Sequence, residues 1–383
     1  MKMQTKPLCE LGEIVSGSTP KTGAPEFWDG DIPWVTPADL SDHDGIYFHG
    51  TSKKISRAGF DSCSTAILPP GSILFSSRAP IGHCAVTAYP LCTNQGFKNI
   101  VPNKHLDSLF GYFALRFLTP AIVGRGRGAT FLEINKELFE SIEVPYCDLT
   151  EQRRIARRLE KADRLCRARR YALELTDTFL PAAFNRVFGH AFETGPFRVL
   201  GELVKITGGG TPARERSEYY KGRIPWLTSK DMKGDYIWDT EEHITAEAIE
   251  DSATNLVPAG SILVVVKSKV LMHRLPVAMT KVPLCHGQDI KSIQCSEALR
   301  PEFARYVLKF HEKSLLRLAR GANTEGLTLP MLEELPVAIV PPAQQDHFVE
   351  LVRGHERLRE VQREALRQAE HLFSALLHRA FSG

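Results

Sequence analysis

Apolar positions along this chain follow two different periods, and each period returns further on. Short apolar runs such as Ser72 to Phe75 and Ser261 to Val266 are bounded by Pro and Gly, which predicts strands joined by tight turns. A helical pattern interrupts the strands around 106–118 and again around 301–319. Two longer helical stretches, Thr150 to Phe188 and Ala343 to Phe381, contain almost no Gly. In the second, Phe348, Leu351, His355, Leu358, Gln362, Ala365, Ala369, Leu372 and Leu376 alternate in steps of three and four, the spacing of a coiled-coil seam. Shifted by 193 residues the seam becomes Ile155, Arg158, Ala162, Leu165, Arg169, Ala172, Thr176, Phe179 and Ala183, weaker but aligned. Pro181 lies inside the first stretch; it lacks a backbone donor and is expected to kink or end the helix, which leaves a short separate helix from Phe184 to Phe188 open.

The returning pattern is an internal duplication. Leu11-Gly12-Glu13-Ile14-Val15 recurs as Leu200-Gly201-Glu202-Leu203-Val204, and Gly17-Ser18-Thr19-Pro20 as Gly209-Gly210-Thr211-Pro212. Ile32-Pro33-Trp34-Val35-Thr36 with Asp39 recurs as Ile224-Pro225-Trp226-Leu227-Thr228 with Asp231. Pro69 to Leu74 matches Pro258 to Leu263, Gln95 and Lys98 match Gln288 and Lys291, Phe110 to Phe117 matches Phe303 to Phe310, and Gly128-Ala129 matches Gly321-Ala322. The offset stays near 190 residues, far above any solenoid period, so each copy is a whole domain. The predicted organisation is a domain over 1–149, a helix over 150–189, a second domain over 190–342 and a second helix over 343–383. The fold class expected is α+β, with mixed, loop-rich sheets and two long helices.

Composition narrows this picture only a little. The 383 residues carry a net charge of +3, which permits a nucleic-acid partner without requiring one. Eight cysteines lie scattered with no CxxC pair and no nearby His in a ligand pattern, which reads as free thiols in a reducing compartment. The start, MKMQTKPLCELGE, has neither an apolar core nor a cleavage site, and the most apolar run, Ile262 to Val266, is too short for a bilayer. A cytoplasmic protein with no membrane partner is expected.

Two copies of domain-then-helix in one chain fit a pseudo-two-fold axis, which makes the helices antiparallel. A helix of roughly 38 residues at about 1.5 Å per residue spans on the order of 55 Å. On B-DNA such a rod would hold two reading heads more than a helical turn apart, for a split site. Divergence between the copies would make that site asymmetric.

The order Gly17 to Pro20, Ile32 to Asp39, Pro69 to Leu74, Asn94-Gln95 to Lys98, Gly124 to Gly128 and Glu151-Gln152-Arg153-Arg154-Ile155 resembles the Type I restriction-modification specificity subunit. The resemblance covers nearly the whole chain, twice. The family joins domain to helix through a P-P-L-x-E-Q-like stretch; here Pro341-Pro342 stands only in the second copy and Glu151-Gln152 only in the first. The resemblance implies two target-recognition domains that bind double-stranded DNA and a coiled coil that holds two methyltransferase (modification) subunits, joined by restriction/translocase subunits. It implies no cofactor in this chain; S-adenosylmethionine, ATP and Mg would belong to the partner subunits.

Phosphate contacts favour Lys, Arg and hydroxyls, and base contacts favour polar side chains on loops. The candidates in the first copy are Lys21, Thr36, Ser76, Ser77, Arg78, Lys98, Arg125 and Arg127, the last two in the loop Gly124 to Gly128, open to phosphate contact or to an ordinary solvated turn. Those in the second copy are Arg214, Arg216, Thr228, Lys267, Lys269, His273, Arg274, Lys291 and Arg320. Trp34 and Trp226 are open to base stacking, though an Ile-Pro-Trp setting favours a core or turn anchor. Thr36, Asp39, Thr228 and Asp231 are equally open to folding their own loops. The basic flank from Arg153 to Arg170 is open to DNA, to an acidic partner or to solvent.

No GxxxxGK[ST] loop, HExxH, GxSxG or N-P-P-[YF]-type methyltransferase stretch is present, and Pro341-Pro342-Ala343 is not one. The chain therefore reads as non-catalytic. Two rivals stand beside this: the recognition half of a restriction enzyme or methyltransferase with an unfamiliar centre, and a coiled-coil protein adaptor.

Overall fold

The computed structural model describes residues 4–41, 43–78, 80–125, 133–321 and 326–382. The chain forms two compact units, Met1–Tyr171 with Arg363–Gly383, and Ala172–Gln362. Each unit therefore holds one copy of the sheet motifs and a stretch of both long helices.

In the first unit five strands lie in the spatial order Gly12–Ser16, Lys98–Pro102, Ile73–Phe75, Cys84–Thr87 and Tyr47–Phe48. The first four pair antiparallel and the last pair is parallel. A three-stranded sheet places Trp28–Val35 between Lys54–Ile55 and Cys92–Thr93, and Gln4–Pro7 pairs with Glu143–Tyr146. The second unit repeats all three sheets in the same order: Val204–Gly208, Ile290–Cys295, Ile262–Val265, Val277–Thr280, Tyr236–Ile237; then Glu242–Ile244, Ile224–Leu227, Cys285–His286; then Phe197–Val199 with Pro336–Ala338.

The repeated motifs build this frame. Pro69-Pro70-Gly71-Ser72 and Pro258-Ala259-Gly260-Ser261 are tight turns with Gly at φ 86° and 88°, a conformation that a side chain disfavours. A Cβ on Gly17 or Gly209 would stand 2.0 Å from the carbonyl oxygen of Asn94 or His286, so both positions exclude a side chain.

One helix in the first unit runs Ser108–Val123, through Pro120, with the Asp107 carboxylate capping Phe110 N at 3.0 Å. Its counterpart is split at His311 into Pro301–Phe310 and Glu312–Gly321. The two long helices are Leu149–Thr194 and Pro342–Phe381. In the first unit Phe110, Phe113, Ile155, Leu159 and Phe381 share one core with Ile14, Ile73, Phe75 and Ile100. In the second, Phe184, Phe188 and Phe192 join Phe303, Tyr306 and Phe348. Burying such a side chain contributes about 2–3 kcal/mol, so packing rather than propensity sets these helices.

Three features depart from the expectations. The helix containing Pro181 runs on to Thr194 without a separate piece: Pro181 faces solvent, while Leu180, Phe184, Phe188 and Phe192 are buried on the other side and offset the lost backbone bond. The seam is rotated by one residue at several steps. Leu351, Leu358 and Leu372 are exposed, and Val352, Arg359 and Phe373 face inward; likewise Arg158, Leu165 and Phe179 give way to Leu159, Cys166 and Leu180. The helices must cover a sheet-and-helix core as well as each other, which a two-helix heptad does not describe. Within each unit the paired stretches run antiparallel: Ile155 lies by Leu376 and Arg170 pairs with Glu370 in the first, and Asp177 pairs with Arg359 and Phe184 meets Phe348 in the second.

The third departure is at the junction. Gln152 is fully buried, accepts Asp107 N at 2.8 Å and donates to the carbonyls of His105 and Cys147 at 2.9 and 2.8 Å. Gln345 accepts Arg300 N at 2.9 Å and donates to Ala298 and Val340 at 3.1 and 2.9 Å. The Gln of the junction thus survives in both copies and locks each shorter helix to its long one.

Candidate nucleic-acid interface

Pairing in the five-stranded sheets brings several loops to one edge. Ser16 opposes Lys98, Ser76 opposes Phe97, and Ser77 N bonds the Gly96 carbonyl at 2.7 Å while Ile134 N bonds that of Ser77 at 2.9 Å. In the second unit Gly208 opposes Lys291, Val266 N bonds Asp289 O at 2.8 Å, and Leu327 N bonds Val266 O at 2.7 Å. The end of each sheet thus gathers the Gly-x-Thr-Pro loop, the Gln loop and the connection after the central strand.

Ser77, Arg78 and Lys98 come together there in the first unit. Arg78 reaches Glu133 at 2.9 Å, with both side chains about half exposed. Lys98 is 7% exposed, and its Nζ donates only a long 3.5 Å bond to Phe97 O. Burial holds its ammonium below the usual lysine range; Arg78 and Lys136 push the same way and Glu133 opposes them. The buried Ser77 hydroxyl has no hydrogen-bond partner. Glu133 and Lys136 were not among the residues expected here, because nothing in the spacing ties them to Lys98. The Ser76 hydroxyl, by contrast, is spent on the Pro80 carbonyl at 2.7 Å. Arg125 is exposed just past the Ser108–Val123 helix, and Arg127 lies outside the described residues.

The second unit brings Lys267, Lys269, His273, Arg274, Lys291 and Arg320 to the equivalent edge, all but half-buried Lys291 exposed. Lys291 Nζ lies so close to Gly208 that a Cβ there would come within 3.0 Å. Arg274 donates to the Met232 carbonyl at 3.3 Å and Arg320 to that of Met272.

Other candidates sit apart from this cluster or are already engaged. Arg214 grips Glu242 with two bonds of 2.7 and 2.9 Å and lies over the rings of Tyr220 and Trp226. Arg216 pairs with Asp251 at 3.2 Å and with the Tyr219 hydroxyl. Lys21 is exposed, and its carbonyl accepts the Trp28 indole at 3.3 Å. The Thr36 and Thr228 hydroxyls donate to Asp39 and Asp231 at 2.6 and 2.7 Å, closing their own loops. Trp34 and Trp226 are buried, with their indoles donating to Ser18 and Gly210 carbonyls at 3.0 and 3.1 Å. They anchor the Gly-x-Thr-Pro loop and leave no face for a base. In the basic flank, Arg154 pairs with Glu151, Arg167 with Asp163 and Arg170 with Glu370.

Among the described residues no group of three His, Cys, Asp or Glu could hold a metal, and no helix is long and apolar enough to cross a membrane. All eight cysteines are unpaired.

Residues 1–174 and 196–368 match the family model of the Type I restriction modification DNA specificity domain. The Type I restriction enzyme MjaIX specificity subunit of Methanocaldococcus jannaschii is 27% identical over 372 residues, 91% of this chain and 85% of that protein. The EcoR124I/EcoR124II specificity subunit of Escherichia coli is 32% identical over 165 residues, 42% of this chain and 41% of that one. Two solved structures share the fold. One, from work on complex assembly and conformational transition of the type I R-M system, has a TM-score of 0.63 at 19% identity, covering 99% of this chain and 97% of that chain. The other, a Type-I restriction-modification system S subunit from M. genitalium, has 0.55 at 15%, covering 99% and 96%. With the family model matched over both copies and a relative aligned along most of its length, the chain belongs to the Type I restriction modification DNA specificity family, whose specificity subunits recognise DNA and are not catalytic.

Proposed function

We propose that this chain reads a two-part, asymmetric site in double-stranded DNA, each unit contacting one half-site through its clustered sheet edge. The observation that carries the reading is the equivalent gathering of basic side chains at that edge in both units, on loops that differ in sequence and length. An equivalent frame favours the same docking mode, and divergent loops favour different bases. Two modification subunits bound along the long helices, with restriction/translocase subunits added, would supply S-adenosylmethionine, ATP and Mg chemistry in the cytoplasm. This chain would supply only the address.

Mapping methylated adenines genome-wide in a strain carrying this chain and its modification subunit tests the reading. The expected motif has two unlike halves around a spacer, and exchanging residues 1–149 changes one half alone. A contiguous palindrome overturns it. Affinity of the complex for its site is expected to fall steeply with salt, because phosphate neutralisation releases counterions.

A further inference from the structure

The two sheet edges differ most in the connection after the central strand. From Val265 to Val277 it is longer than its counterpart from Phe75 to Cys84, and it folds into a 3-10 turn over Lys269–Met272. That turn is held on every side. The Ser268 hydroxyl accepts Val270 N at 3.4 Å, Leu271 is buried at 5% exposure, and Leu275 N bonds the Glu312 carboxylate at 2.8 Å. Arg320 holds the Met272 carbonyl, and Arg274 ties the end of the turn to Met232 O.

On this fixed support the Met272 side chain is 63% exposed. Lys267, Lys269, His273 and Arg274, all exposed, are its near neighbours along the chain, and exposed Arg320 reaches its carbonyl. An apolar side chain exposed on a turn rich in Lys and Arg has no core to fill. The cations suit phosphates, and the thioether suits an apolar group lying between them.

We propose that Met272 is a specificity-determining residue that packs against the 5-methyl group of a thymine in the major groove of the second unit's half-site. The thymine methyl is the apolar feature of a base edge in that groove, and an unbranched, polarisable side chain adapts to it. The first unit has no equivalent, since its shorter connection carries Arg78 and Pro80 there. The assignment rests on the DNA-reading function proposed above.

The test uses the full chain with its modification subunit and a duplex carrying the site mapped from its methylated adenines. Each thymine in the second unit's half-site is replaced in turn by uracil, which removes only the methyl. For the unaltered protein, one replacement is expected to weaken binding about four-fold, the effect of one buried methyl-sized group. In Met272→Ala, binding to the thymine duplex falls by a similar factor and the loss on uracil replacement disappears. Unchanged binding of the unaltered protein to every uracil duplex overturns the proposal, as does a Met272→Ala variant with undiminished sensitivity. An equal loss by Met272→Ala on thymine and uracil duplexes, the result for a wedge between bases, also overturns it. Failure of the DNA-reading function shows separately, as no site-specific binding by the unaltered complex.

Discussion

The two units use one frame but fill the space beside the long helices differently. In the first, a polar cavity of about 400 Å³ lies against Arg116, Asp163, Arg167, Arg170 and Glu370. In the second, the position matching Tyr112 is Arg305, which is fully buried. Its guanidinium donates to Asp235 O at 3.0 Å and to Glu356 at 3.3 Å, while Lys309 and Arg359 approach Asp235 at 2.7 and 3.7 Å. Burial alone would raise the Asp235 carboxyl; the Lys309 and Arg305 cations outweigh it and hold the group below the usual aspartate range. The Arg116–Asp163 pair of the first unit sits at 3.0 Å with Arg116 about one-third exposed. Equivalent backbones thus accept either a cavity lined by charged side chains or a buried charge cluster, because the duplication preserves the frame and leaves the filling to vary.

The largest expected contrast comes from removing one charge in each unit. Arg305→Ala removes the cation facing Glu356, leaves the Asp235 carbonyl without its donor and opens a cavity where a fully buried side chain stood, and should lower the stability of the second unit by about 3–5 kcal/mol. Arg116→Ala should lower that of the first by about 1 kcal/mol or less, since Arg116 is partly exposed and Asp163 keeps Arg167 at 2.9 Å as a second counter-ion. Urea unfolding, with hydrogen exchange to assign each transition, measures both; equal losses would break the comparison.

Shared features should respond alike. Gln152→Ala and Gln345→Ala each leave buried backbone groups unpaired and should each lower stability by about 1–3 kcal/mol. A loss confined to one unit in the same unfolding assay would show that the two junctions do different work.

The smallest contrast is in pH. Burial lowers the pKa of His286, His311 and His355 in the second unit, and of His43 in the first. A histidine kept neutral by folding contributes stability that is complete above the unfolded value of 6.5 and falls as pH drops towards the folded value. Between pH 7.5 and 5.5 the second unit should therefore lose more protection than the first. Exchange at Ile262–Val265 against Ile73–Phe75, corrected for intrinsic rates, checks the difference.

Much of the frame is legible in the residues themselves. Gly17 and Gly209, Gly71 and Gly260, and Trp34 and Trp226 report close approach, a tight turn and a buried anchor, which are local demands that repeat with the residue. The seam is legible in period but not in phase: Leu358 belongs to the apolar pattern yet is exposed, because the aromatic core around Phe184 and Phe348 decides which face turns inward. The ion-pair partners of candidate residues were not legible where they lie remote in sequence, as for Arg214 with Glu242 and Arg216 with Asp251.

The sequence by itself determined the duplication, the order of the motifs and the presence of two long helices. Each of these rests on spacing within one copy or between the two. Tertiary structure alone decided which basic residues stand at the sheet edge and which are already paired, that Pro181 is carried through an unbroken helix, and that one unit buries an arginine where the other buries a tyrosine beside a polar cavity. Those outcomes depend on burial and on charges distant along the chain, and no local pattern encodes either.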